Sequence, residues 1–271
     1  RHFVVPLYCF NIKIIMKIAL VQHNILWSAK QANLEKIRSL IDSAPGADVY
    51  VLPEMFATGF SMKPERIAES YTGEVVAWMT DLAREKSAAI IGSVSVAEGG
   101  NYYNRLIMAK PDGAVEYYDK RHLFSFAGED GKYACGKERK VFEFRGVRFL
   151  PLVCYDLRFP VWSRNHSDYD VAIYVASWPD ERKYAWQTLL RARAIENQCY
   201  VLGVNRVGSD PVSVYSGYSV ALGPDGMQIA ECEPGKEVAV IADIDMEILG
   251  EYRKKYPFLR DADWNKDDFV W

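Results

Sequence analysis

The sequence predicts an α/β fold of four layers, α-β-β-α, assembled from two halves of one plan. Three observations carry this. Short, almost wholly apolar runs at 48–52, 149–153 and 170–175 alternate with stretches whose apolar residues recur at helical spacing, as parallel strands buried on both faces require. Each half then runs strand, helix, strand, helix, strand, hairpin. Each hairpin turns on the same tripeptide, Pro111-Asp112-Gly113 and Pro224-Asp225-Gly226, whose residue types suit a tight turn. Two such halves can pack sheet against sheet with helices outside. A single doubly wound sheet is the alternative, and the repeated hairpins count against it.

In chain order, residues 1–15 look foreign to the rest of the chain. They are too short for a membrane span and lack a small-residue cleavage site. They read as a leader extension, non-native or disordered or adding an edge strand, and residues 16–271 read as a single domain starting at Met16. A first strand covers 17–22. Leu34, Ile37, Leu40 and Ile41 recur at helical spacing across 30–43, and Pro45-Gly46 stops that helix. Strand 48–52 is broken by Pro53-Glu54, and a polar and aromatic loop runs to about Pro64. Val76, Met79, Leu82 and Ala83 give a second helix over 73–86, followed by strands 88–96, 103–109 and 114–118. In the second half, strand 149–153 and a helix near 160–166 lead to strand 170–175. A helix over 182–198 and strands 200–204, 217–222, 227–230 and 237–243 complete it. The aromatic tail 252–271 has no core of its own.

The 271 residues are 49% apolar and 25% charged with net charge −3, the composition of a soluble globular protein. That balance argues against a nucleic-acid or anionic-membrane surface. Cys9, Cys135, Cys154, Cys199 and Cys232 are odd in number, scattered and free of any Cys-x-x-Cys. Neither a disulfide framework nor a zinc site is expected, and a reducing, cytoplasmic compartment is. The four histidines lack metal-ligand spacing, so no metal is expected.

In α/β sheets, ligands gather beyond the carboxyl ends of the strands. Glu54, Lys120, Cys154 and Trp178 follow such ends, and Glu129 lies in the loop after Lys120. Strand 149–153 ends abruptly at Cys154, and Pro160 suits a first helical turn. That order places a thiol beside a helix N-terminus, where backbone N–H groups lower its pKa and stabilise an anion. A buried core cysteine is the plain alternative, and this stretch alone leaves both open. Lys120 taken alone suits a surface charge cluster, and Glu129 an exposed turn.

Together, Glu54 in Leu-Pro-Glu, Lys120 in Tyr-x-Lys-x-His-Leu-Phe and Cys154 in Cys-Tyr-Asp-x-Arg-Phe-Pro resemble the carbon–nitrogen hydrolase (nitrilase) superfamily, over essentially 16–271. The resemblance implies the four-layer sandwich, a Glu-Lys-Cys catalytic set, and dimers or larger homo-oligomers. It also implies a second glutamate ahead of a glycine, a spacing kept by Glu129 and Gly136. Amide hydrolysis needs a nucleophile, a base that becomes an acid, and a cation for the oxyanion. A free thiol has a pKa of ~8.5 and needs activation. Lys120 and the helix end are expected to favour the thiolate, with Glu54 accepting the proton. Cys154 is expected to attack the amide carbon while Lys120 and the Tyr155 backbone N–H hold the oxyanion. Glu129 orients Lys120 or the substrate amide, and no metal or organic cofactor is needed.

True nitrilases carry Trp-Glu after the cysteine. Tyr155-Asp156 stands here, which favours an amide over a nitrile. The stretches 177–182, 185–198 and 204–208 resemble the bacterial ω-amidase branch, which removes the terminal amide from 2-oxoglutaramate or 2-oxosuccinamate. A planar guanidinium suits the carboxylate of such a substrate. Arg182 is the first candidate and Arg158 the second, the latter equally suited to an ion pair with Asp156. Phe126 and Trp178 are candidates for the pocket wall, with core packing as the competing role. Another small-amide or N-carbamoyl amino acid hydrolase is the alternative function. A non-catalytic binding or scaffold protein and a redox protein rank lower.

Overall fold

The computed structural model describes residues 14–262. The first half contains β1 (Ile15–Gln22), α1 (Lys30–Asp42), β2 (Val49–Val51), α2 (Glu74–Lys86), β3 (Ala89–Glu98), β4 (Asn101–Ala109) and β5 (Val115–Asp119). The second contains β6 (Phe142–Phe144), β7 (Val147–Val153), α3 (Pro160–Ser163), β8 (Val171–Ala176), α4 (Lys183–Asn197) and β9 (Tyr200–Asn205). A flap of β10 (Val207–Ser209) and β11 (Val214–Ser216) precedes β12 (Val220–Leu222) and β13 (Gln228–Glu231). Then β14 (Val238–Asp245) and α5 (Met246–Lys255) complete the described chain.

Two six-stranded sheets result, ordered β14-β1-β2-β3-β4-β5 and β13-β12-β9-β8-β7-β6. The duplication expected from the sequence is present strand for strand. In one sheet β1, β2 and β3 are parallel and β4 and β5 follow antiparallel. In the other, β7, β8 and β9 are parallel and β12 and β13 follow antiparallel. Even the two Pro-Asp-Gly turns share one bonding pattern. Asp112 Oδ1 accepts from Ala114 N–H and Asp225 Oδ1 from Met227 N–H, both at 2.9 Å. Gly113 and Gly226 sit at φ +92° and +78°, which only a residue without Cβ adopts freely.

The alternation of the pleat divides the side chains between two interiors. Ile18, Leu20, Val49, Val51, Ile91 and Met108 face the second sheet, on the side of Phe149, Ile173 and Val175. Their neighbours Ala19, Val21, Tyr50 and Ile90 face α1 and α2, meeting Leu34, Ile37, Met79 and Leu82. On the far side, Trp186, Leu190 and Ala194 of α4 cover the second sheet. Among the described residues no helix is long and apolar enough to cross a membrane.

Several boundaries differ from the sequence reading. Residues 1–13 of the expected leader lie outside the described residues, but Ile15 already belongs to β1. The Ile14 carbonyl accepts from Met246 N–H at 3.0 Å, which ties this end to α5. The helix expected near 160–166 is only α3, preceded by a 3-10 turn over Cys154–Arg158. Asn165 ends it, donating to the carbonyls of Tyr169 and Asn197 at 3.2 and 3.0 Å. The strand expected over 217–222 shrinks to β12, and β6, the flap and α5 were not foreseen. Asp245 caps α5 by accepting from Glu247 N–H at 2.9 Å. As far as residue 262 the tail lies along the domain's own edge. There Gln198 Nε2 donates to the Tyr256 carbonyl at 2.6 Å, and Leu259 is buried.

A close helix–sheet contact falls at Gly203 of β9. A Cβ there would lie 2.4 Å from Leu190 Cδ1 and 2.9 Å from Trp186 Cζ2. Gly203→Ala must therefore push α4 outward, and urea unfolding should show a loss of ~1–3 kcal/mol with the slope unchanged. A neutral result would contradict this packing.

Candidate active site

The carboxyl ends of β2, β5, β7 and β8 converge where the two sheets face each other. Glu54 leaves the end of β2 and is anchored to the opposite sheet. Its Oε2 accepts from Ser177 N–H at 2.9 Å, and its carbonyl accepts from the Ser177 hydroxyl at 3.3 Å. Lys120 follows β5, and its N–H donates to the Asn104 carbonyl of β4 at 3.0 Å. Its own carbonyl accepts from Gly136 N–H at 2.9 Å. A Cβ at Gly136 would lie 2.0 Å from the Asp119 carbonyl oxygen, so the close approach that fixes Lys120 requires glycine.

Glu129 begins a single 3-10 turn, Glu129–Gly131, after Gly128 at φ +76°. It is no exposed turn residue: it is wholly buried, and its Oε2 accepts from Phe124 N–H at 2.6 Å. Lys120 Nζ lies 3.0 Å from Glu54 Oε1 and 2.8 and 3.1 Å from the two oxygens of Glu129. All three side chains are essentially without solvent contact.

Cys154 stands at the end of β7 with φ +46°, opening the 3-10 turn. This sharp elbow lifts the thiol out of the sheet into a cavity of about 810 Å³. The elbow is held by Asp156, a buried carboxylate with four donors aimed at it. These are Val153 N–H at 3.0 Å, Tyr118 hydroxyl at 2.9 Å, His122 N–H at 2.9 Å and His122 Nδ1 at 2.8 Å. Asp156 thus locks the chain around Cys154 to the chain around Lys120. It does not pair with Arg158.

The electrostatics correct one expectation. The thiol was expected to be favoured as thiolate. Instead burial and the neighbouring charge of Glu54 push its pKa well above the ordinary value, outweighing Lys120 and the Ser177 N–H. The direction is that of a resting thiol beside the Glu54 carboxylate. Burial pulls the Lys120 pKa down, but the charges of Glu129, Glu54 and Cys154 more than offset this and raise it. Burial raises Glu129 despite Lys120. Its oxygens meet only donors, so a proton there would have no acceptor and the ionised form persists.

Apart from Glu129, which lies behind the wall, every residue singled out from the sequence lines the cavity. Phe126 stands at the rim, 87% exposed, whereas Trp178 is buried. Trp178 packs on Trp186 with ring centres 5.5 Å apart, so it serves core and cavity at once. Arg158 lies over Trp178 at 4.9 Å and has no carboxylate partner among the described residues. Arg182 is ion-paired with Glu181 and lies 5.5 Å over Phe124. Sequence reasoning missed Asn104, Ser177 and the Asp156–His122–Tyr118 group. The last group was present inside the very motifs that flagged Lys120 and Cys154, but Asn104 reads as one more strand residue.

Residues 17–254 match the carbon–nitrogen hydrolase family. The chain is 49% identical to the omega-amidase YafV of Yersinia enterocolitica, over 92% of this chain and 97% of that one. It is 34% identical to the 2-oxoglutaramate amidase of Bacillus subtilis, over 90% and 96%. The crystal structure of XC1258 from Xanthomonas campestris, a superfamily protein with an arsenic adduct in its active site, superposes with TM-score 0.89. Identity there is 42%, over 95% of this chain and 99% of that one.

With its pKa raised, Cys154 should contribute no thiolate absorbance in the ultraviolet at neutral pH. The difference spectrum between wild type and Cys154→Ser tests this, and a thiolate band at neutral pH would contradict the electrostatic account.

Proposed function

The chain belongs to the carbon–nitrogen hydrolase family and hydrolyses amides, and on that premise we propose that it is an ω-amidase. Its substrates in this reading are 2-oxoglutaramate or 2-oxosuccinamate, and its products the dicarboxylic keto acid and ammonia. One observation carries it: a thiol, an ammonium and a carboxylate meet on one cavity wall with a second carboxylate behind it, Lys120 Nζ lying 3.0 Å from Glu54 and 2.8 Å from Glu129.

Cys154 attacks the amide carbon as its proton passes to Glu54. The oxyanion is held by Lys120 Nζ and by Tyr155 N–H, one of the amides that open the 3-10 turn and lack a partner within it. Glu54 returns the proton to the departing nitrogen, so ammonia leaves and a thioester remains. Glu54 then takes a proton from water as the water attacks the thioester carbon. Collapse releases the acid, and Cys154 recovers its proton from Glu54. Glu129 holds Lys120 and touches no substrate.

For the distal carboxylate, Arg182 stood first in the sequence reading. The ion pair between Arg182 and Glu181 now favours Arg158, whose guanidinium faces the cavity without an acidic partner among the described residues. Phe126, Phe124 and Trp178 form the aromatic wall around it. A homodimer is part of the reading. Ile195, Met227, Ile229, Ile248 and Phe258 are exposed on neighbouring elements of the second sheet's outer side. Cytoplasmic residence rests on the scattered free cysteines.

Ammonia release should be rapid from 2-oxoglutaramate or 2-oxosuccinamate and slow from N-carbamoyl amino acids; the reverse order would overturn the substrate assignment. Arg158→Ala should raise KM by ~10–100-fold with kcat less affected, a loss typical of a charge-assisted hydrogen bond. If Arg182→Ala has the larger effect on KM, the carboxylate assignment returns to Arg182. Light scattering should give twice the chain mass, and a monomer would contradict the dimer.

A further inference from the structure

Asn104 lies on β4, fully buried and absent from the cavity lining. Its Nδ2 donates to Glu54 Oε1 at 2.7 Å and to Glu129 Oε1 at 3.2 Å. These are the same two oxygens that receive Lys120 Nζ. The reversed amide would set Oδ1 against two carboxylate oxygens, so the partners dictate the orientation. As placed, Oδ1 is buried with no hydrogen-bond partner. A buried acceptor left unsatisfied is costly. Both N–H groups are committed to the acid pair even so.

The reason lies in the charges around Glu54. Lys120 faces it from the end of β5, Glu129 from the 3-10 turn, the Cys154 thiol from the elbow, and the Tyr133 phenol from behind. Lys120 is the one cation in this group and is shared between two anions. Two carboxylates on one ammonium push protonation of one of them. The neutral donor Nδ2 opposes that without adding charge.

We propose that Asn104 is a positioning residue that keeps Glu54 ionised in the resting enzyme, ready to accept the proton of Cys154. The inference rests on Glu54 being that acceptor, and it assigns Asn104 an effect through Glu54 with no substrate contact. Removing the donor raises the proton affinity of Glu54, so proton acceptance is lost at a higher pH than in wild type.

The test is the pH dependence of Cys154 alkylation by iodoacetamide, followed on the Cys154 peptide by mass spectrometry, which needs no knowledge of the amide substrate. In wild type the rate falls as Glu54 is protonated. Asn104→Ala should move that acid limb up by about one pH unit, the scale of one hydrogen bond to a charged group. Asn104→Ser, which keeps one donor, should move it less, and carries the test if the alanine variant does not fold. A folded variant that lowers the rate equally at every pH, leaving the limb in place, overturns the proposal. Glu54→Gln separates the two levels. If the acid limb keeps its wild-type position in that variant, rather than giving way to the thiol's own limb at higher pH, Glu54 is not the acceptor and the underlying reading fails instead.

Discussion

One ammonium buried between two carboxylates is the interaction on which the site depends. Lys120 Nζ lies within 3.1 Å of oxygens from both Glu54 and Glu129, and none of the three groups sees solvent. Taking three charges out of water is costly, and removing one member of such a cluster typically costs ~3–5 kcal/mol. The cluster persists because donors answer every carboxylate oxygen. Ser177 N–H, Phe124 N–H and Asn104 Nδ2 supply what Lys120 cannot. Each comes from a different element, so the fold must be complete before the site is.

The second constraint is the elbow at Cys154. A non-glycine residue at φ +46° is strained, and such strain persists only when the surroundings over-determine it. Asp156 does so from two residues away, accepting from Val153 N–H in front of the thiol and from Tyr118 and His122 on either side of Lys120. Nucleophile and cation are thereby tied to one carboxylate. The rest is electrostatic. Because burial and Glu54 push the thiol's pKa up, the proposed mechanism couples activation to proton transfer to Glu54 and starts from no standing thiolate.

Much of this was legible in the sequence, for a physical reason. Buried parallel strands are continuous apolar runs and the two Pro-Asp-Gly turns mark matching hairpins, so pattern suggested the duplicated sandwich and the family resemblance implied it. Glu54, Lys120 and Cys154 each follow a strand end, but singly each had a plain alternative, and it was the three motifs together that resembled the family. Asn104 was illegible, since one polar residue inside a strand pattern reads as a solvent-facing position until its neighbours in space are known. The direction of the thiol's pKa was not legible, because sequence shows which charges are near but not how the fold balances them against burial. The pairing of Arg182 with Glu181 likewise emerges only in three dimensions.

The central claim is that acyl transfer passes through the sulfur of Cys154, with Glu54 moving the proton. Acid-quenched mass spectrometry of the wild-type enzyme, stopped within its first turnovers on 2-oxoglutaramate, tests it most directly, with Glu54→Gln, which lacks the base that takes the thiol proton, as the control that forms no adduct. The account predicts an acyl group on the Cys154 peptide, formed with loss of ammonia and released by hydroxylamine. Ammonia release by Cys154→Ala at the wild-type rate would contradict it.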